Sequence, residues 1–184
     1  METIPLEKVI EIGVQAGVRE ALDRISREKE ERRKGRYDRR LRNTKLLLKN
    51  YRNFQVHCSD SISSLGRYRT NAIDILDELD YGDQDSEFYI ESIKASNERT
   101  AIIIAHIENM IRIFRYICER SCKPEEVRRY KVIAGLYVDE EEKSAAQLAG
   151  ELICDPRTVY RDRDEAVKVL SALIFGIDGL KMEV

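Results

Sequence analysis

Two stretches of the chain, residues 37–65 and 90–118, repeat apolar side chains in alternating steps of four and three, a spacing that admits little besides paired helices. In the first, Tyr37, Leu41, Thr44, Leu48, Tyr51, Gln55, Cys58, Ile62 and Leu65 form the seam, with Thr44 and Gln55 as polar interruptions. In the second, Ile90, Ile93, Asn97, Thr100, Ile104, Ile107, Ile111, Phe114 and Cys118 keep the same step. Residues 80–86 between them have the composition of a turn. Seams of similar length flanking a short turn predict an antiparallel helical hairpin over residues 36–122. No segment alternates with the two-residue period of a strand, so the expected fold is all-α.

Before the hairpin, residues 5–34 read as an N-terminal amphipathic helix, giving a first unit over 1–35. Ile10, Val14, Ala21, Leu22 and Ile25 supply its apolar stripe, and Gly13, Gly17 and Ala21 fall four apart. A glycine inside a helix costs about 1 kcal/mol relative to alanine, and close approach of a neighbouring helix is one compensation. After the hairpin, residues 121–124 break the pattern, and Pro124 opens a further helix. There Val127, Tyr130, Ile133, Ala134, Tyr137 and Val138 are expected to cover the helices that follow. Residues 123–184 form the third expected unit.

Inside that unit, Leu148, Ala149 and Leu152 recur at helical spacing, and the pattern stops at Ile153 and Cys154. Asp155-Pro156 then gives a fresh start signal: an aspartate cap accepts a backbone N–H, and a proline in the first turn has no N–H to lose. In the helix that begins there, Val159, Ala166, Leu170 and Leu173 point inward. Arg157, Thr158, Tyr160 and Arg161 are left on the opposite side. Two short helices joined this way have the layout of a helix-turn-helix, whose second helix reads bases in the major groove.

These residues resemble a known group. The string Tyr-Lys-Val-Ile-Ala-Gly-Leu-Tyr-Val from Tyr130, Ala-Gln-Leu-Ala from Ala146, Asp-Pro-Arg-Thr-Val-Tyr-Arg-Asp from Asp155 and Leu-Ile-Phe-Gly-Ile-Asp-Gly-Leu from Leu173 are similar to phage transcriptional regulators with a sigma-70 region 4-like helix-turn-helix, the late-gene regulators of the ArpU and RinA type. The resemblance covers roughly the last third of the chain, with a weaker echo in residues 39–52. It implies a phage or prophage regulator that binds double-stranded DNA in a sequence-directed way, with RNA polymerase as a candidate partner, and it assigns base reading to Arg157, Thr158, Tyr160 and Arg161. Ile153 stands where this motif usually has glycine, and Asp155 where it usually has a serine cap. Isoleucine disfavours positive φ, which predicts a longer or differently shaped turn.

Charge is distributed in blocks. The formal net charge is only −2. Residues 24–52 hold 13 Lys/Arg against 4 Asp/Glu, however, whereas residues 60–91 hold 9 acidic residues against 2 basic. Within the basic block Arg39, Arg40, Arg42 and Lys45 are candidate contacts to the DNA backbone, where each neutralised phosphate adds affinity and salt sensitivity. A solvated helix face, or a docking face for the acidic segment of the same or another chain, is an equally open reading of the same block. Residues 155–168 balance at four positive and four negative charges. A lone motif of this kind binds weakly, and a second half-site or a polymerase partner is required.

Other chemistry is hard to find. Cys118 and Cys122 lie one helical turn apart and His57 precedes Cys58, yet no Cys-x-x-Cys pair exists. His106-Ile-Glu108 matches the opening of a zinc-deaminase signature without its Pro-Cys-x-x-Cys partner. No phosphate loop, dinucleotide fingerprint or nucleophile elbow is present. The reading therefore calls for no catalytic residue, no metal and no cofactor. Four cysteines without scaffold density, and no signal peptide or membrane span, place the chain in the cytoplasm. The apolar tail 170–177 is either a cap on the core or a contact surface, so a homodimer through the helical region or this tail is expected. Competing functions are a phage DNA-packaging component and a helical interaction protein that binds no DNA.

Overall fold

The computed structural model describes residues 6–58, 72–73, 75–76 and 97–176, and among these the chain is mostly helical with no strand. The helices delimited among the described residues are α1 (Leu6–Lys49), α2 (Tyr51–Cys58), α3 (Asn97–Arg120), α4 (Pro124–Ile133), α5 (Ala145–Glu151) and α6 (Pro156–Phe175). A π-helical turn over Ala134–Val138 extends α4. No helix among the described residues is long and apolar enough to cross a membrane.

The first helix is longer than its sequence suggests. A break between Lys34 and Tyr37 was the expectation, yet α1 runs through Gly35 without interruption. One helical glycine costs about 1 kcal/mol, too little to stop a helix whose neighbours Arg33, Lys34 and Arg36 are good helix formers. At its other end only Asn50 separates α1 from α2, and the ladder continues across it: Asn50 N donates to the Leu46 carbonyl at 3.0 Å and Phe54 N to the Asn50 carbonyl at 2.9 Å. By its contacts the chain forms two compact units, residues 1–36 and residues 37–184.

In residues 37–184 the larger core gathers Leu47 and Leu48 of α1, Tyr51 and Phe54 of α2, Ile75 and Leu76, a face of α3, and the C-terminal half of α6. On α3 the seam residues Thr100, Ile104, Ile107, Ile111, Phe114 and Cys118 are all buried. In the first seam Thr44, Leu48 and Tyr51 are buried and Tyr37, Leu41 and Gln55 half-buried, and the two polar interruptions have specific solutions. Thr44 Oγ1 donates to the Arg40 carbonyl one turn back at 2.8 Å. Gln55 Nε2 reaches both Tyr51 Oη, at 2.9 Å, and Glu108 Oε1, at 3.2 Å. Burial, together with Glu108, pushes the Tyr51 hydroxyl well above its ordinary pKa, so it serves as a neutral donor. Ile62, Leu65, Ile90, Ile93 and the turn 80–86 lie outside the described residues.

A smaller core sits under α5 and holds Val132, Leu148, Ala149 and Val159, with Leu136, Ala145, Leu152 and Cys154 packed against it. Helices α4 and α6 serve both cores, and the expected cover of α4 divides between them, with Ile133 sharing the larger core with Ala166, Val167 and Leu170 of α6. Tyr130, Ile133, Tyr137 and Val138 turn to the larger core, and Val132 with Leu136 covers α5 instead. Gly135 lets the π-helical turn and α5 approach closely, because a Cβ there would lie 2.7 Å from Leu148 Cδ2. The tail read as core cap or contact surface is core through Phe175: Leu170, Ile174 and Phe175 are buried.

Candidate nucleic-acid interface

Helix α5 starts on a capping box. Ser144 Oγ accepts from Gln147 N, and Gln147 Oε1 accepts in return from Ser144 N at 2.8 Å, so two orphan donors are satisfied together. Its end is a Schellman turn: Cys154 N donates to the Ala149 carbonyl at 3.0 Å, and Ile153 N to the Gly150 carbonyl at 3.4 Å. This geometry demands a left-handed residue at position 153, and Ile153 takes it with φ of 52°. The longer or differently shaped turn predicted from isoleucine is therefore not what forms. The chain keeps the tight turn and accepts strain, of order 1–3 kcal/mol for a non-glycine residue in this region. Cys154 packs against the smaller core, whereas Ile153 is 93% exposed.

Helix α6 begins two residues later. Asp155 Oδ1 accepts from Arg157 N at 2.7 Å, and Pro156 occupies the first turn. With Val159 fully buried in the small core, the helix is clamped by that side chain, and its first two turns expose Arg157, Tyr160 and Arg161 while Thr158 is half-buried. Further along, the buried residues are Ala166, Val167, Leu170 and Ile174, with Leu173 only partly covered.

Two ion-pair systems fix this helix, and neither could be read from spacing. Asp162, 2% exposed, accepts from Arg128 Nε at 2.5 Å and lies 3.9 Å from Arg129 Nε, locking α6 to α4. One turn beyond Tyr160, Arg163 stacks over its ring at 5.1 Å and donates to Asp164 Oδ1 at 2.9 Å. Asp164 in turn holds Lys45 of α1 at 3.2 Å. Partial burial works to raise the Asp164 pKa, but hydrogen bonds from Arg163 and Lys45 outweigh it and keep the carboxyl below its ordinary value. The chain Lys45, Asp164, Arg163 thus orients Tyr160. Sequence offered only the three-residue step from Tyr160 to Arg163.

The basic block is partly spent inside the molecule. Arg40 is buried, donates to the Phe175 carbonyl at 3.2 Å and stacks on the Phe175 ring at 5.5 Å, closing the C-terminal end of α6. Arg52 does the same for the π-helical turn, donating to the carbonyls of Asp139, Leu136 and Gly135 at 2.8, 3.1 and 3.4 Å. Cations at helix C-termini satisfy orphan carbonyls and oppose the negative end of the dipole. Arg39 is half-buried, and Arg42 and Lys45 are exposed, Lys45 within the Asp164 pair.

No protein-family model, curated protein or solved structure matches the chain.

The site is read from its chemistry. Two guanidinium groups, a phenol and a hydroxyl lie within five residues at the positive end of a 20-residue helix. Such a face can donate to phosphate oxygens or to a guanine edge. The other sequence candidates lie elsewhere. His106 Nε2 is 3.0 Å from the Ile174 carbonyl at the edge of the larger core. Cys118 is buried, its thiol pushed up to about 11 by burial, while Cys122 is exposed.

Proposed function

We propose that α5, the Schellman turn and α6 act as a helix-turn-helix, and that the chain is a sequence-specific DNA-binding transcriptional regulator whose helix α6 enters the major groove. The observation that carries this reading is the exposed trio Arg157, Tyr160 and Arg161 on a helix start whose opposite side, Val159, is clamped. Recognition needs side chains held within a fraction of an ångström by rigid elements, and the Asp162 and Asp164 systems supply that rigidity. In this reading Arg157 and Arg161 take guanine or phosphate, and Thr158 and Tyr160 take phosphate or a thymine methyl. The hairpin expected over residues 36–122 oligomerises or holds another protein in this reading, with RNA polymerase or a second copy supplying the affinity that a charge-balanced helix lacks.

Selection of bound duplexes from a random pool tests the function. An enriched motif is expected, with Arg157→Ala and Arg161→Ala each weakening binding to it by about 1–3 kcal/mol if the arginine meets a base. A pool that stays flat at low salt removes the DNA role and leaves a helical interaction protein. A closed ring of many subunits points to phage DNA packaging.

A further inference from the structure

The first unit presents an unusual surface. From Gly13 to Lys34 every residue of α1 is exposed. Val14, Val18, Leu22 and Ile25 form a stripe along three turns, each at least half exposed. Nothing lies within 4 Å of where a Cβ would stand on Gly13 or Gly17. An isolated helix with two glycines is marginal in water, since helices in proteins draw most of their stability from packing an apolar face. Among the described residues of this unit nothing covers the stripe, and its composition calls for a partner.

We propose that the partner is a second copy of the same segment, packed antiparallel about a two-fold axis between Arg19 and Glu20. Two features select this occupant. First, the stripe is self-complementary about that point. Val14 meets Ile25 of the second copy, Val18 meets Ala21, and Leu22 is received by Gly17, whose missing side chain makes the room. The close pair at the axis is Arg19 with Glu20 of the second copy. Second, charge runs along the helix: residues 6–23 carry four acidic and two basic residues, whereas residues 24–36 carry seven basic and three acidic. Antiparallel packing sets unlike halves together. Parallel packing in register sets each basic half on its own copy, which is repulsive. A twofold contact of this kind is isologous and closes at two chains. It is also small beside the roughly 1,600 Å² of a standard stable interface, so the dimer is concentration-dependent.

This inference deepens the second-copy partner named above, and its test uses no DNA. Full-length protein with Cys122 replaced by Ser is oxidised as Val14→Cys, as Ile25→Cys, and as an equimolar mixture of the two. Eleven residues of helix put positions 14 and 25 about 16 Å apart in one chain, beyond the reach of a disulfide. A covalent dimer in the mixture and not in either single variant is the expected result. Crosslinking of each single variant alone means parallel packing and overturns the proposal. Sedimentation gives the second arm: unmodified protein should pass from monomer to dimer with rising concentration, and Gly17→Leu, which improves helix propensity but fills the Leu22 recess, should weaken the dimer about tenfold or more. A monomer at every concentration, or a dimer indifferent to Gly17→Leu, overturns it. Loss of self-association with duplex selection intact would leave the DNA reading standing, and the converse result would leave the dimer.

Discussion

Helix α1 belongs to two regions that both carry leucine and arginine and differ in what surrounds those side chains. Leu22 and Leu48 lie on the same helix, yet Leu22 is 59% exposed and Leu48 is 1% exposed. The arginines divide likewise. Those of residues 13–34 sit on an exposed surface, whereas Arg40 and Arg52 are turned onto backbone carbonyls. Residue type alone does not tell a leucine or an arginine of one region from that of the other. Tertiary partners do, and substitutions matched across the boundary measure how much those partners contribute.

The largest contrast comes from truncating leucines. Leu48→Ala should cost about 2–5 kcal/mol in denaturant unfolding, because it removes transfer energy and leaves a cavity in a core shared by α2, α3 and α6. Leu22→Ala should change the same transition by no more than about 0.5 kcal/mol at concentrations where the protein is monomeric. Equal costs would mean that the two regions unfold as one cooperative body, and the comparison would break.

Arginine gives the next contrast. Arg52→Ala should cost about 2 kcal/mol, since three carbonyls at the end of the π-helical turn lose a charged donor and part of the site stays dry. Arg27→Ala, on the exposed segment, should be neutral within about 0.5 kcal/mol. Thermal melts of the two variants at low and high salt separate them, because the screened surface charge responds to salt and the partly buried cap responds less.

These arginines also show where sequence reading stops. The seam on α3 was legible because each buried side chain announces itself by spacing along one helix, and so was the start of α6, where Asp155 and Pro156 act locally. Arg40 and Arg52 find acceptors 135 and 83 to 87 residues away. No local pattern distinguishes them from Arg42. Asp162 was counted among the charges that weaken DNA affinity, yet it is buried between α6 and α4. The run of α1 through Gly35 was missed because a single glycine lowers helix stability without ending the helix. In the candidate site the exposure of Arg157, Tyr160 and Arg161 followed from helical period, whereas Thr158 is half-buried. What holds Tyr160 in place did not follow from it, since Lys45 and Asp164 meet only in the folded chain.

Ile153 sharpens the comparison, because here an apolar side chain inside the well-packed region is exposed. Its left-handed φ serves the turn, while the side chain covers nothing in the chain itself. Ile153→Gly removes the strain at the cost of glycine's extra freedom in the unfolded chain, and the net expectation is a gain of about 1 kcal/mol in unfolding free energy. A loss instead would show that the exposed isoleucine stabilises the turn by contacts the geometry does not contain. Leu22→Gly on the exposed helix should go the other way, costing helix content, because φ is ordinary there.

The smallest effect is the pH dependence carried by Asp164. Its folded pKa lies below the ordinary carboxylate value, so its contribution to stability is complete above the unfolded value near 4 and is lost as pH falls through the folded one. Asp164→Asn should therefore lower stability at neutral pH by a fraction of a kcal/mol, discounted because the side chain is 44% exposed, and should flatten the acid limb of the stability curve below about pH 4. If Asp164→Asn also loosens the Arg163 stack, Tyr160 fluorescence anisotropy falls at neutral pH in a background where the other tyrosines are replaced by phenylalanine. Stability lost without a change in anisotropy would separate the two roles of Asp164, leaving it as a link between α1 and α6 that does not orient the proposed reading face.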